Sequence, residues 1–192
     1  AEARVTVERW LRTDGPLGDL MAMGEDGLQI ISNIAPVAPE AVLARIEHEM
    51  DGPANGAILD PRSVWRRQWI RLIKKLAYNS SMFDRATTLL ARFLAAEPPD
   101  HNNSSALEMF AELFHLHLSG TQAPPEQRRT LVRTFAQSGN PHFLRCASIA
   151  LEGLLKAHHF SSSSDFDFGA RPRDWGWRPS TYGAHWAWHL GG

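Results

Sequence analysis

The 192-residue sequence is nearly devoid of cysteine: Cys146 stands alone. No disulfide can form within the chain and no cysteine pair can hold a metal, so a reducing, cytoplasmic setting is expected. Long apolar runs are missing too. No stretch reaches the 18 or so uninterrupted apolar residues of a membrane helix, and the start "AEARVTVERW" has neither the basic nor the apolar region of a secretory signal. Charge of one sign is not in excess, since 20 basic residues face 21 acidic ones, and global charge therefore points to no polyanionic partner. The chain has no initiator Met and closes abruptly on "HLGG"; both features raise the expectation of an excised piece, with activity residing in other parts of a larger protein.

What is present is a globular composition, 43% hydrophobic and 21% charged, in a chain long enough to bury about 70% of its unfolded surface. Helix starts are legible where a cap residue and an apolar period agree. Asp60-Pro61 and Asn140-Pro141 each set an N-cap before a proline at the first helical position, where its missing N–H costs nothing. Ser105 with Glu108 forms a capping box, Ser81 with Asp84 a weaker one, and Pro125-Glu126 opens a further first turn. The stripe Trp65, Trp69, Leu72, Ile73, Leu76 follows one helical face. Further stripes are Phe83, Ala86, Leu90, Phe93, Leu94; then Leu107, Phe110, Leu113, Phe114, His117; then Leu131, Val132, Phe135; then Phe143, Cys146, Ala147, Leu151, Leu154, Leu155. "PEAVLARIEHEM" supplies an earlier helix from Pro39 to Met50. Residues 1–35 suggest two short helices, "LGDLMAMG" and "DGLQIISNIA", while "ARVTVERWL" reads as either strand or helix. No hairpin chemistry with strand alternation occurs in the helical region, so the fold class is all-α.

The Asp167-Phe168-Gly169 triplet matches a kinase metal-binding loop, but a kinase also needs a glycine-rich loop, a strand lysine and a catalytic-loop Asp and Asn, and none precedes it. A G-x-x-x-x-G-K-[ST] loop is absent as well, which excludes nucleotide cradling by that device. The tail holds aromatic pairs at i, i+2: Phe166/Phe168, Trp175/Trp177 and Trp186/Trp188. In an extended segment each pair presents two rings on one side. The expected role is a return strap over the last helices that covers the open end of the core. Arg171, Arg173 and Arg178 are available to stack on tryptophans or pair with Asp165, Asp167 and Asp174. A recognition surface of Trp175, Trp177, Arg171, Arg173 and Arg178 is the functional alternative, because Trp and Arg dominate interface hot spots.

Arg67, Arg71, Lys74 and Lys75 fall within about 100° of helical arc, opposite the tryptophan stripe, as a basic ridge able to contact phosphates. A nucleic-acid module is the second functional class, against the bland reading of a solvated face. Nine histidines raise a third, a metal-dependent hydrolase using His158, His159 and Asp165 or Asp167. No HExxH is present, and His115 and His117, two apart, diverge on a regular helix, so no metal or other cofactor is assigned. Cys146 lies on an apolar stripe and reads as core packing.

The helix starts near 61, 81, 104, 125 and 141 lie on average 20 residues apart, giving antiparallel hairpins of about 40 residues. "LIKKLAYNSSMFDR" aligns with "LVRTFAQSGNPHFLR" through Leu72/Leu131, Ala77/Ala136, Phe83/Phe143 and Arg85/Arg145 with one insertion. This period resembles HEAT and armadillo repeats. It implies a right-handed superhelical stack with the aromatic strap at its end, a closed irregular bundle being the other architecture. "LQIISNIAPVAPEAVLARIE" and "SSSDFDFGARPRDWGWRPSTYG" resemble helical-repeat regions of large bacterial STAND-type NTPases, in which such a region senses a ligand or partner beside a separate nucleotide domain. The resemblance implies a bacterial sensor or scaffold with a protein or peptide partner and no catalytic residues. Residues 1–38 would form short N-terminal helices, 39–160 the repeat body and 161–192 the strap, all in one structural unit.

Overall fold

The computed structural model describes residues 1–20, 22–98, 105–158, 160, 167–170, 172–181, 183 and 187. Its helices are α1 (Glu2–Trp10), α2 (Gly24–Ile34), α3 (Pro39–Asp51), α4 (Asn55–Leu59), α5 (Arg66–Leu76), α6 (Ser80–Ala95), α7 (Ser105–Glu112), α8 (Pro125–Gln137) and α9 (Pro141–Leu155). The all-α class holds: among the described residues no extended strand forms. No described helix is long and apolar enough to cross a membrane.

Helix α6 is central. It buries Met82, Phe83, Ala86, Thr87, Leu89, Leu90, Ala91, Phe93 and Leu94, a spread wider than one stripe, because it packs against α3, α5, α7 and α9. A train of phenylalanines joins it to its neighbours: Phe83 meets Phe114 edge-on at 5.9 Å, Phe114 meets Phe110 at 5.2 Å, Phe110 meets Phe135 at 6.2 Å, and Phe135 stacks on Phe143 at 5.4 Å. Helices α8 and α9 form a tight pair across a three-residue link in which Gly139 takes φ +70°. Asn140 caps α9 as its sequence suggests, its side chain accepting from the His142 N–H at 2.9 Å. At Gly153 a Cβ would stand 2.8 Å from the Ala111 carbonyl oxygen, so α9 and α7 approach at backbone distance there. Cys146 packs in the core as expected, and burial pushes its thiol up to about 11.

Four expectations need correction. The helix expected from Pro61 begins at Arg66: the Asp60 carboxylate accepts from Arg62 N–H at 2.9 Å and closes a turn, since Asp serves turns as readily as caps. The stripe running to His117 ends as a helix at Glu112. The Phe114 and His115 amides drop to i−3 carbonyls, Leu118 takes φ +55°, and the His115 carbonyl is captured by Arg128. "LGDLMAMG" is not a helix in its described part, which runs as turns, whereas "ARVTVERWL" is the helix α1. Finally, of the last helices the described strap residues meet α8, where Trp177 lies 6.0 Å from the Arg128 guanidinium, and not α9. Leu144, Leu151 and Leu155 of α9 stay exposed, and the strap instead reaches Pro36, Tyr78 and the loop 119–122.

Candidate functional site

The site is built from one buried cation outward. Arg128, on α8, is fully buried. Its Nε donates to the Ala123 carbonyl at 2.8 Å, one Nη to the His115 carbonyl, and the other to Ser119 Oγ at 3.2 Å and the Thr121 carbonyl at 3.5 Å. All four acceptors are uncharged, and burial lowers the guanidinium to about 9, so it remains protonated at neutrality. A five-donor planar fork suits this work, gathering carbonyls of an irregular loop that has no helix or sheet to pair them.

The loop so fixed receives the strap. Gly120 N–H donates to the Trp175 carbonyl at 3.0 Å and Trp177 N–H to the Thr121 carbonyl at 2.7 Å. Between them Gly176 sits at φ +95°, where a Cβ would lie 2.5 Å from the Thr121 oxygen; only glycine meets both demands. Thr121 Oγ1 anchors the loop to the Ala77 carbonyl at 2.7 Å. The Asp174 carboxylate accepts from Tyr78 Oη at 2.7 Å, Gln122 Nε2 at 2.7 Å and Gly176 N–H at 3.0 Å. Burial, aided by the Asp174 charge, raises the Tyr78 phenol above its ordinary value. Arg173 lies between two rings, 4.3 Å from the Tyr78 centroid and 4.1 Å from that of Phe168, and donates to the Lys75 carbonyl at 2.6 Å. Burial brings its guanidinium down to about 10.

The expected site residues therefore divide. Trp175 is 64% exposed, although hydrogen bonds hold its backbone and that of Trp177. Trp177 is half-buried, 6.0 Å from the Arg128 guanidinium, and Arg178 is exposed. With Gly176 kinking the chain, the two rings differ in burial, but both border a hollow of about 710 Å³ with His117, Leu118, Phe160 and Arg178. Arg173 is an internal clamp rather than a surface group, stacked on Tyr78 and Phe168 instead of a tryptophan. Arg171, Asp165, Phe166, Trp186 and Trp188 lie outside the described residues. On α5 the ridge is broken: Arg67 and Arg71 are exposed and Lys75 half-buried, but Lys74 is buried in an ion pair with Glu112, and burial lowers its ammonium below the usual range.

The Asp-Phe-Gly triplet fastens the strap. Phe168 is buried, and Gly169, at φ +70°, packs so closely on Pro36 that a Cβ would meet its ring at 2.7 Å. Among the described residues no group of three His, Cys, Asp or Glu side chains is placed to hold a metal ion; His159 and Asp165 of the hydrolase reading lie outside them. Sequence reasoning missed Tyr78, Thr121, Gln122 and Arg128, which carry the strap; the glycine between two tryptophans was the one local signal of a close backbone approach. Set beside known proteins, the chain matches no family model, no curated protein and no solved structure.

Proposed function

We propose that the chain is a non-enzymatic helical scaffold or sensor module whose strap face binds a protein partner through an extended peptide segment. One observation carries this reading: Trp175, the largest side-chain type, stands 64% in solvent on a backbone fixed to the 119–122 loop through its own carbonyl and through Trp177 N–H two residues on. An exposed aromatic on a fixed backbone loses little freedom on binding, which is how a small contact becomes a hot spot. The adjoining hollow offers apolar walls from Leu118, Phe160 and Trp177 and the charge of Arg178. Asp174 is already engaged, so the charge left to a partner is positive, and the segment that fits bears an apolar side chain beside an acidic one. In this reading the helices are a HEAT- or armadillo-like stack in a cytoplasmic, bacterial protein, and the stack serves as a stiff mount for the strap.

The test is a random-peptide library panned on the full chain. Selected peptides should share an acidic residue next to an aliphatic or aromatic one, and Trp175→Ala should weaken them about 30-fold with far-UV circular dichroism and melting temperature unchanged. Unrelated selected sequences, or equal binding by the folded variant, would remove the strap from recognition.

A further inference from the structure

Helix α9 carries a second period that its own core does not use. Leu144, Ser148, Leu151 and Leu155 are spaced four, three and four residues apart, the step pattern of a coiled-coil seam, and fall within about 60° of helical arc. The three leucines are 54%, 47% and 62% exposed. Ser148 Oγ donates to the Leu144 carbonyl at 3.3 Å, so the hydroxyl in the middle of the seam would enter an apolar contact with its bond already made. The two flanks of the seam differ. On one, Ala147 and Leu154 are buried in the chain's own core. On the other, Arg145 and Glu152 are exposed two turns apart, and among the described residues no ion pair occupies either.

We infer that α9 is a self-association face, on which a second copy of this chain docks its own α9 antiparallel about a two-fold axis. Leu144 then meets Leu155 of the second copy, and Ser148 meets Leu151 of the second copy. Charge selects this occupant and this direction. A two-fold axis across antiparallel helices brings like flanks together, so Arg145 of each copy faces Glu152 of the other, and a single surface is complementary to itself. A parallel pair would instead set the Arg145 and Glu152 flank against Ala147 and Leu154, whose side is already filled by the core. Three leucines and a serine per copy form a small contact beside the roughly 1,600 Å² of a standard interface. The dimer is therefore expected to dissociate on the order of 10–100 µM. Joined in this way, two chains carry two strap faces, and a partner with repeated binding segments gains by avidity.

Sedimentation equilibrium of the full chain over about 1 to 500 µM tests this. The weight-average mass should climb from 21.5 kDa toward twice that value. Arg145→Glu and Glu152→Arg each place like charges across both contacts and should weaken association about tenfold or more, with helical circular dichroism retained because both positions are exposed. Mixed in equal amounts, the two variants should associate again, since one copy then offers two acids and the other two arginines at the facing positions. A native chain that stays at 21.5 kDa throughout would overturn the inference and leave the face to another protein or to this chain's own C-terminal segment. So would a dimer that the single reversals leave unchanged, or variants whose mixture associates no better than each alone.

Discussion

Arg128 is a single side chain on which a whole loop depends. Its methionine variant keeps the packing volume but removes the guanidinium donors from the buried Ala123 and His115 carbonyls and Ser119 Oγ, while the Thr121 carbonyl keeps Trp177 N–H. Arg128→Met should therefore lose about 3 kcal/mol or more of unfolding free energy, read from urea midpoints, whereas substitution of exposed Arg133 should shift them little. His115 makes a second residue-scale statement. It is buried against Phe160, its Nδ1 has no hydrogen-bond partner, and its value falls from 6.5 to about 4. Burial is the main cause, reinforced by Lys156, Lys74 and Arg128 and opposed by Glu112. Because the folded value lies below the unfolded one, the unfolded chain takes up the proton first. The contribution is complete above 6.5 and is lost as pH falls toward 4. From pH 7 to pH 5 this costs about 2 kcal/mol, so urea midpoints should fall over that interval in the native chain and fall less in His115→Phe. Parallel slopes would show that His115 is protonated equally in both states.

At the scale of elements, the described part of the strap around Trp175 is held by two backbone bonds, the Asp174 carboxylate hub and stacked Arg173, with buried Phe168 as its tie to the core. Such segments open independently of global unfolding. Gly176→Ala drives a methyl into the Thr121 backbone and strains the positive φ, a local cost of about 1–3 kcal/mol. The expected result is faster amide exchange at Gly120 and Trp177, by about tenfold or more, with helical circular dichroism retained; unaltered exchange would mean that the strap tolerates the methyl by shifting as a unit. The same contrast between local and tertiary causes explains what could be read in advance. Helices α3, α8 and α9 were legible because proline starts, caps and apolar stripes agree within each segment. The starts of α5 and the end of α7 were not, because Asp60 closes a turn and Arg128, thirteen residues beyond His115, takes a carbonyl that a longer helix would use. Trp175 and Arg178 could be picked out as surface candidates by residue type alone. The clamp role of Arg173 could not, since its partners Tyr78 and Lys75 are almost a hundred positions away.

For the molecule as a whole, the described part of the C-terminal segment ties Pro36 beside α2, α5 and the 119–122 loop together. Ion pairs have the same long reach: Lys74 meets Glu112 and Arg66 meets Glu97 at 3.2 Å in the interior, and Arg85 meets Glu47 at 2.8 Å on the surface. The Gly169–Pro36 contact joins positions far apart along the chain, a separation that makes closure slow relative to helix formation. During synthesis every surface that the strap touches emerges from the ribosome before the strap itself, so a nascent chain presents an open trough where the finished protein has a walled chamber. Nascent chains halted near residue 160 should accordingly have assembled helices and still lack the strap contacts at Pro36, Tyr78 and the 119–122 loop.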